Sequence, residues 1–451
     1  MIKLYFDWNA MVRLKNNQPA GLEDLLLKNK DRFHIYYSPA HIGDIYKGYT
    51  ESQGITQVME SDLAYIKTIT NELFTFYEKP SVKSDYRNPS DVFNDRIITE
   101  GFGSDFLKKE GLNSLLIDQM TSTNDGSSSP TTEEQKTQGV DMTLNIFRNI
   151  NSSNIYKDMR KDVQLGLEIN RDQLYNHPEP IEKLDNYISN LLVEENTFIE
   201  YAQRLTSIFS QDDEDWFNPI MTAYVLLDML GYKEDKINIL KGQTFANLTA
   251  DSQHTAYGSQ CDFYITNDDR NLSKTKAIYK ALGINTEVVT PGELYDIISQ
   301  SIQTDSTGIF LENVFKSVND FKRGWIEEGK DDPKYVLLRN FFFDYFNKAI
   351  CFNEENPEEN MPKWMIILTK ERPTNDRFLF YDDINTLIYK MVARFGPAYE
   401  NKLDLTQAEI NEISDGVYWS GRVWMQGTVL THFKFINGYF QLYLEPQVNG
   451  S

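Results

Sequence analysis

The sequence has few cysteines, an excess of acidic over basic residues, and no long apolar segment. Cys261 and Cys351 are the two cysteines among 451 residues, which excludes a disulfide framework and a cysteine-based zinc site. The formal net charge of −22 argues against sequence-blind binding of nucleic acid over the whole surface, although metal ions can offset repulsion at a local site. No apolar run reaches the ~18 residues of a membrane helix, and polar residues interrupt the N-terminal stretch, unlike a signal peptide. We therefore expect a cytoplasmic protein without membrane contact.

The length and composition are those of a globular protein with two or three domains. "IKLYFD" (2–7) and "FHIYYS" (33–38) are predicted strands, and Ser38-Pro39 has the residue types that begin a helix. Strand and helix patterns alternate again from "NPIMTAYVLLDMLGY" (218–232) to "NTEVVTPGEL" (285–294). Such alternation predicts βαβ units and a parallel sheet.

Two other regions have different patterns. Residues 51–215 are polar with apolar residues at helical spacing, and are interrupted by a Ser/Thr/Gly-rich stretch at 121–139 that is typical of an exposed flexible loop. Residues 303–451 are predicted to form an α+β module. It would start with a helix in "YVLLRNFFFDYFNKAICF" and finish with strands joined by hairpins, including a type I′ turn at "INGY".

Four acidic residues occupy comparable positions in the α/β pattern. Asp7 ends the first strand, Asp44 follows the second on a helix, Asp251 opens a short helix predicted at 250–260, and Asp268 follows the strand "CDFYIT". In a parallel sheet the carboxyl ends of strands and the amino ends of helices face one edge, so these side chains can converge. Several carboxylates at one point repel unless a cation is bound, and hard oxygen ligands suit Mg²⁺ or Mn²⁺.

The order of these residues resembles that of the PIN-domain nucleases. The resemblance is carried by Asp7, by an acid after "SPAHIG", and by "ADSQHTAYGSQCDFYITNDD", and it covers roughly 130 of the 451 residues. It implies a PIN-like parallel sheet sandwiched by helices and formed by 1–50 and 216–302, a mostly helical insertion at 51–215, and the C-terminal α+β module at 303–451. The sequence departs from the family in having Asp44 where most members have glutamate, and in the 207 residues that separate Asp44 from Asp251.

The resemblance implies roles for particular side chains. Asp7, Asp44, Asp251 and Asp268 would be the catalytic, metal-binding acids, with Thr266 and Asn9 in support. His254 lies three residues after Asp251, as a structural residue, a ligand or a proton carrier, and Asp269 is a turn or supporting residue. Arg270, Lys274 and Lys276 form either a solvated helix face or contacts to substrate phosphate. Each acid also has an ordinary explanation as a turn, surface or helix-capping residue.

These patterns predict a divalent-metal-dependent endoribonuclease that hydrolyses RNA phosphodiester bonds. The large addition also suits a regulated effector, such as a toxin or defence nuclease held by a protein partner. One alternative is a catalytically degenerate PIN fold that serves as a protein-interaction scaffold, which Asp44 and the net charge favour. The other is a haloacid-dehalogenase-like phosphohydrolase, for which "FDWNAM" (6–11) has Asn9 in place of the second acid of D-x-D.

Overall fold

The computed structural model describes most of the chain as two compact units. The described residues are 1–51, 56–78, 81–95, 155–166, 169–191, 197–207, 217–237, 244–306, 309–320, 334–354, 363–371, 377–399, 402–414 and 418–446. The chain divides into an α/β unit, Lys3–Lys28 with His34–Leu294, and a C-terminal unit, Met1–Ile2 with Asn29–Phe33 and Tyr295–Ser451. The domain boundaries drawn from the sequence stay a prediction. The Ser/Thr/Gly-rich stretch at 121–139 lies outside the described residues.

A parallel sheet organises the first part of the fold. Its strands are β1 (Ile2–Phe6), β2 (Phe33–Tyr36), β5 (Phe263–Ile265) and β6 (Glu287–Val289), in the order β2-β1-β5-β6. β5 pairs in parallel with both β1 and β6. These strands are short apolar runs that are buried almost throughout, as strands covered on both faces must be. The sequence-based prediction of a mixed α/β fold with a parallel sheet flanked by helices is therefore confirmed.

Helices flank this sheet and connect its strands. The first are α1 (Trp8–Lys15), α2 (Leu22–Lys28), the 3₁₀ turn Lys30–Arg32, α3 (Pro39–Glu51), α4 (Thr56–Thr70) and α5 (Pro89–Asp95). Further along are α6 (Ile155–Gly166), α7 (Arg171–Leu174), α8 (Pro180–Leu191), α9 (Phe198–Ser207), α10 (Phe217–Met229), α11 (Phe245–Gly258), α12 (Asp269–Ala281) and α13 (Pro291–Ser306). α10 is apolar and buried along most of its length, and it packs against α11 and α12.

The segment predicted to be mostly helical also contains a β-hairpin. Its strands are β3 (Leu73–Glu78) and β4 (Ser81–Tyr86), which pair antiparallel. Tyr37, one residue beyond β2, makes a parallel bridge to Phe74. This bridge places the hairpin beside the end of β2, where its inner aromatic residues pack into a buried cluster with residues of α3 and α4.

The C-terminal unit has an antiparallel sheet of its own. The strands are β7 (Lys334–Phe342), β8 (Phe346–Glu354), β9 (Lys363–Thr369), β10 (Tyr418–Gln426), β11 (Val429–Ile436) and β12 (Tyr439–Pro446), in the order β10-β11-β12-β9-β8-β7. The helices α14 (Phe310–Asp320), α15 (Arg377–Phe395) and α16 (Gln407–Ser414) contribute buried residues to the core of this unit. The predicted turn at "INGY" is confirmed, since Asn437 and Gly438 both have positive φ as a type I′ turn requires.

The helix predicted in "YVLLRNFFFDYFNKAICF" is wrong, because this segment forms the β7–β8 hairpin. The strands meet at Phe342 and Phe346, and Phe343 and Asp344 turn the chain with φ of 55° and 58°. A run so rich in aromatic and β-branched residues fits a half-buried pleated surface well. Its apolar residues are also dense enough to satisfy a helical spacing, so the hydrophobic pattern alone does not separate the two structures.

No helix among the described residues is long and apolar enough to cross a membrane.

A buried ionic network ties three helices of the α/β unit together. The Asp228 side chain, on α10, is fully buried and accepts hydrogen bonds from Tyr156 Oη (2.9 Å), Arg160 Nη1 (3.0 Å) and Lys274 Nζ (3.0 Å). The backbone N–H of Asp235 donates a fourth at 2.6 Å. α6 contributes Tyr156 and Arg160, and α12 contributes Lys274, so this one carboxylate joins α6, α10 and α12.

We expect Asp228→Asn to lower the free energy of unfolding by about 3 kcal/mol, because it removes the carboxylate that Arg160 and Lys274 share and leaves each of these buried cations with a single acidic partner. Urea denaturation followed by circular dichroism measures the loss as a shift of the unfolding midpoint. Glu179→Gln is the control, since its ion pair with Lys280 is exposed and its loss should leave the midpoint unchanged. Equal midpoints for Asp228→Asn and the wild type would contradict a stabilising role for the network.

Candidate active site

Two of the predicted acids lie at adjacent strand-to-helix junctions. Asp7 follows β1 and caps α1, where its Oδ1 accepts the N–H of Ala10 at 2.7 Å. Asp268 caps α12 just after β5, and its Oδ1 accepts the N–H groups of Arg270 (2.8 Å) and Asn271 (3.1 Å). β1 and β5 are parallel neighbours, so both junctions are at the same edge of the sheet. Each cap uses Oδ1 and leaves Oδ2 outside the capping bonds.

Thr266 connects these two junctions. It is buried, and its backbone N–H donates to the carbonyl of Val289 on β6 at 3.1 Å. Its Oγ1 accepts the backbone N–H of Asp268 at 3.1 Å, and its side chain hydrogen-bonds to the Asp7 carboxylate. The predicted supporting residue therefore lies between two of the predicted acids.

The other two acids come from helices beside the sheet. Asp44 lies on α3, and its Oδ2 accepts a hydrogen bond from His254 Nε2 at 2.9 Å. Asp251 lies in the middle of α11, since this helix begins at Phe245. The expectation that Asp251 opens a short helix is therefore wrong, and helix capping does not account for it.

Close packing fixes α11 against the sheet. A Cβ atom at Gly258, on the last turn of α11, would lie 2.3 Å from Cδ2 of Tyr264 in β5. A side chain there would push the helix away from the strand. The glycine thus lets the helix that carries Asp251 and His254 lie directly on β5.

The acids share an unfavourable electrostatic environment. Burial raises the pKa of Asp7 to about 6, although the hydrogen bonds from Thr266 and Ala10 act to lower it. Burial also raises the pKa of Asp251 well above its ordinary value, and the negative charges of Asp235 and Asp7 raise it further. Each carboxylate is thus destabilised in its charged form both by loss of water and by neighbouring carboxylates.

Asp235 is a further acid at this site that the sequence reasoning missed. It lies in the turn after α10, and burial raises its pKa while Lys274 acts to lower it. Its carboxylate accepts a hydrogen bond from Lys274 Nζ at 2.9 Å and lies 3.9 Å from a guanidinium nitrogen of Arg270. The stretch "GYKEDK" (231–236) has the composition of an ordinary solvated turn, so the sequence carries no signal for this residue.

Lys274 is not part of an exposed basic surface, contrary to its predicted role as a phosphate contact. Its side chain is fully buried between Asp228 and Asp235, with Nζ 4.6 Å from the centre of the Tyr224 ring. Burial acts to lower its pKa, but the two carboxylates outweigh this effect and raise it. Lys274 is therefore an internal counter-charge, and it lowers the pKa of Asp251.

The remaining predicted residues lie near the surface. Asn9, on the first turn of α1, is exposed, and so is Asp269 at the start of α12. Lys276 is exposed on α12, while Arg270 is partly buried beside Asp235. Their supporting and phosphate-binding roles stay predictions.

His254 belongs to a buried hydrogen-bonded chain. Its Nδ1 lies 2.9 Å from Tyr5 Oη, which in turn lies 2.6 Å from Ser38 Oγ. His41 lies beside it, with ring centres 4.7 Å apart, and hydrogen-bonds through Nε2 to the carbonyl of Phe6 at 2.8 Å. Burial and the neighbouring His254 lower the pKa of His41 well below its ordinary value. His254 is thus hydrogen-bonded to Asp44 through one ring nitrogen and to the buried Tyr5 through the other.

The acidic side chains provide only oxygen ligands. Among the described residues, no three or more His, Cys, Asp or Glu side chains are grouped in an arrangement that could hold a metal ion. Carboxylate oxygens are the ligands that a hard divalent cation prefers. Of the four predicted acids, Asp7 is buried, Asp44 and Asp251 are half-buried and Asp268 is exposed. Their metal-binding roles stay predictions.

The raised pKa of Asp7 predicts that its charge destabilises the metal-free protein. With a pKa of about 6 when folded and an ordinary value of 3.8, folded Asp7 retains a proton between about pH 4 and pH 6 that the unfolded chain releases. Raising the pH through this window therefore lowers stability, by about 3 kcal/mol at most above pH 6. Asp7→Asn keeps a capping side chain and should remove this loss.

Urea midpoints measured in chelator at pH 4, 5, 6 and 7.5 give the comparison. The stability of Asp7→Asn relative to the wild type should rise from pH 4 to pH 6 and then level off. Asp269→Asn removes an exposed carboxylate nearby and should show no such rise. Parallel curves for Asp7→Asn and the wild type would mean that Asp7 is not destabilised by its charge.

Comparison of the chain with protein-family models, with curated proteins and with solved structures gives no match. The chemistry of the acidic site is therefore the basis on which a function can be assigned.

Proposed function

We propose that the α/β unit is a divalent-metal-dependent nuclease of the PIN type that hydrolyses RNA phosphodiester bonds. Its acids come from the first strand-to-helix junction, α3, α11 and the junction after β5. Chain order and element type are both those that the PIN resemblance implies. Regulation by a protein partner, as in a toxin or defence effector, is part of this proposal and rests on the resemblance alone.

The observation that carries the proposal is the electrostatic coupling of the buried Asp7 to the other acids, including the half-buried Asp251. Asp7 and Asp235 raise the pKa of Asp251, and Asp268 raises the pKa of Asp7, in each case in addition to the effect of burial. A fold gains no stability from such a pair, and groups with perturbed pKa values are concentrated at functional sites. A cation held between oxygen donors would remove the penalty.

The residues of the site would divide the work of hydrolysis. A bound divalent cation would supply a water of lowered pKa and would offset negative charge on the phosphate. Asp7 and Asp268, each fixed by its capping bonds, would orient the ligand shell with little loss of side-chain entropy. Thr266 holds the Asp7 carboxylate in place, and Arg270 and Lys276 would contact substrate phosphates.

One observation favours a different function, that of a non-catalytic interaction scaffold. Lys274 already supplies a buried positive charge next to Asp235, and it lowers the pKa of Asp251. A site balanced by its own lysine can persist without a metal ion. On this alternative the acids would be a structural remnant, and Mn²⁺ would neither bind nor stabilise the protein.

We expect the wild type to cleave a 5′-labelled single-stranded RNA in Mn²⁺ and to lose this activity in chelator. Asp251→Asn should lower the cleavage rate by at least about 100-fold, because losing a ligand should cost more than the 10–100-fold typical of residues that only support ligands. Asp24→Asn, which removes an exposed carboxylate on α2, is the control and should cleave at the wild-type rate.

The other outcomes separate the alternatives. Wild-type protein that is inert, and whose melting temperature Mn²⁺ does not change, would support the scaffold. Release of phosphate from a small phosphomonoester would instead favour the haloacid-dehalogenase-like activity. Cleavage that persists in Asp251→Asn would show contamination or a different active site.

A further inference from the structure

A buried chain of hydrogen bonds leads from Ser38 through Tyr5 and His254 to Asp44. The carbonyl of Phe6 can only accept, so His41 Nε2 must carry a proton to donate to it. His41 Nδ1 is then an acceptor, and it receives the backbone N–H of Ser38 at 3.1 Å. His41 is thereby satisfied at both ring nitrogens without requiring the Ser38 hydroxyl proton.

The same reasoning applies to His254. The Asp44 carboxylate accepts at 2.9 Å, so His254 Nε2 carries a proton. His254 Nδ1 lies 2.9 Å from Tyr5 Oη, and this oxygen lies 2.6 Å from Ser38 Oγ. The Ser38 hydroxyl oxygen also accepts the N–H of Ala40 at 3.2 Å.

His254 and Tyr5 both lie in the interior. The His254 side chain is only 1% exposed and its ring lies edge-on to that of His41, at 4.7 Å between centres. Tyr5 is fully buried as well, and the hydroxyl group that makes both contacts is fixed on β1, in the centre of the sheet.

We infer that Tyr5 and His254 are positioning residues that hold the Asp44 carboxylate in the acidic site, His254 through its bond to Oδ2 and Tyr5 through its bond to His254 Nδ1. The role in metal binding rests on the proposed function.

This assignment gives a structural reason for the aspartate at position 44. His254 occupies Oδ2 of Asp44, and Oδ1 accepts no hydrogen bond from the residues that the structure describes. An aspartate has one methylene fewer than glutamate and fewer rotamers to lose. Because the buried imidazole of His254 holds Oδ2 of Asp44, Oδ1 has little freedom to move. This support can compensate for the shorter side chain of aspartate.

Two substitutions at one position separate a positioning role from a merely structural one. Glutamine places an amide N–H near the position of Nε2 and can still donate to Asp44, whereas asparagine places its amide near the position of Nδ1 and cannot. By isothermal titration calorimetry with Mn²⁺, His254→Asn should bind at least about 10-fold more weakly than wild type, and His254→Gln within about threefold of it. Circular dichroism establishes that both variants are folded.

The contribution of Tyr5 is tested in the same assay. Tyr5→Phe removes the hydrogen bond to His254 Nδ1 and should also weaken Mn²⁺ binding. Tyr279→Phe is the matched control, since it also removes a buried hydroxyl, one that donates to the Thr255 carbonyl, and it should bind Mn²⁺ as the wild type does.

Equal Mn²⁺ affinities for His254→Asn and His254→Gln, with a wild type that binds Mn²⁺, would overturn the inference. A wild type that binds no Mn²⁺ would instead overturn the proposed nuclease function, and with it the role of Tyr5 and His254 in metal binding.

Discussion

The parallel pairing of β1 with β5 is the constraint on which the candidate site depends. It brings Phe6 opposite Ile265, and the backbone N–H of Asp7 donates to the Ile265 carbonyl at 2.8 Å. Residues about 260 positions apart in the sequence are thereby placed at one edge of a sheet. Thr266 extends the pairing, because its backbone bonds to β6 while its side chain contacts Asp7. The acids owe their proximity to this register, since a shift of one residue would turn Thr266 away.

Concentrating carboxylates at that edge has an energetic cost that the fold partly offsets from within. The buried Lys274 ammonium contacts both Asp228 and Asp235, and Asp228 is further held by Arg160 from α6. The balance of charge next to the acids thus depends on a helix from the region that separates Asp44 from Asp251 in sequence. That region therefore contributes to the charge balance of the α/β unit through Arg160. A cation at the acids would act in addition to this internal compensation.

The sequence predicted those parts of the site that are coded locally. A buried strand that ends at an aspartate is a short-range pattern, and it located Asp7 and Asp268 correctly at strand ends, where the structure shows each to be a helix N-cap. Asp251 was expected near the start of a helix at 250–260, yet α11 already begins at Phe245. The parallel sheet followed from alternating strand and helix patterns, which persist over many residues.

What the sequence could not provide was the set of partners chosen by tertiary packing. Lys274 has the sequence surroundings of a solvated helix residue, and only the approach of α10 makes it buried. Asp235 has no pattern around it, and it belongs to the site because its turn ends against α12. The β7–β8 hairpin was mistaken for a helix for a related reason, since dense aromatic residues fit both periodicities. Each of these errors concerns a contact between elements that are distant in sequence.

The correction to Lys274 also changes how a polyanion could bind. Of the three side chains predicted to contact phosphate, Arg270 already lies beside Asp235 and Lys274 is enclosed by carboxylates, which leaves Lys276 exposed on α12. If one or two cationic side chains contact single-stranded RNA, the affinity falls only weakly with salt. The logarithm of the binding constant then changes with the logarithm of the salt concentration with a slope of about −0.7 for each phosphate neutralised. On a protein with a net charge of −22, such a small basic footprint cannot capture RNA by long-range attraction. On the proposed nuclease function, recognition would therefore come chiefly from a cation held by the acids, with Arg270 and Lys276 on α12 orienting one phosphate beside it.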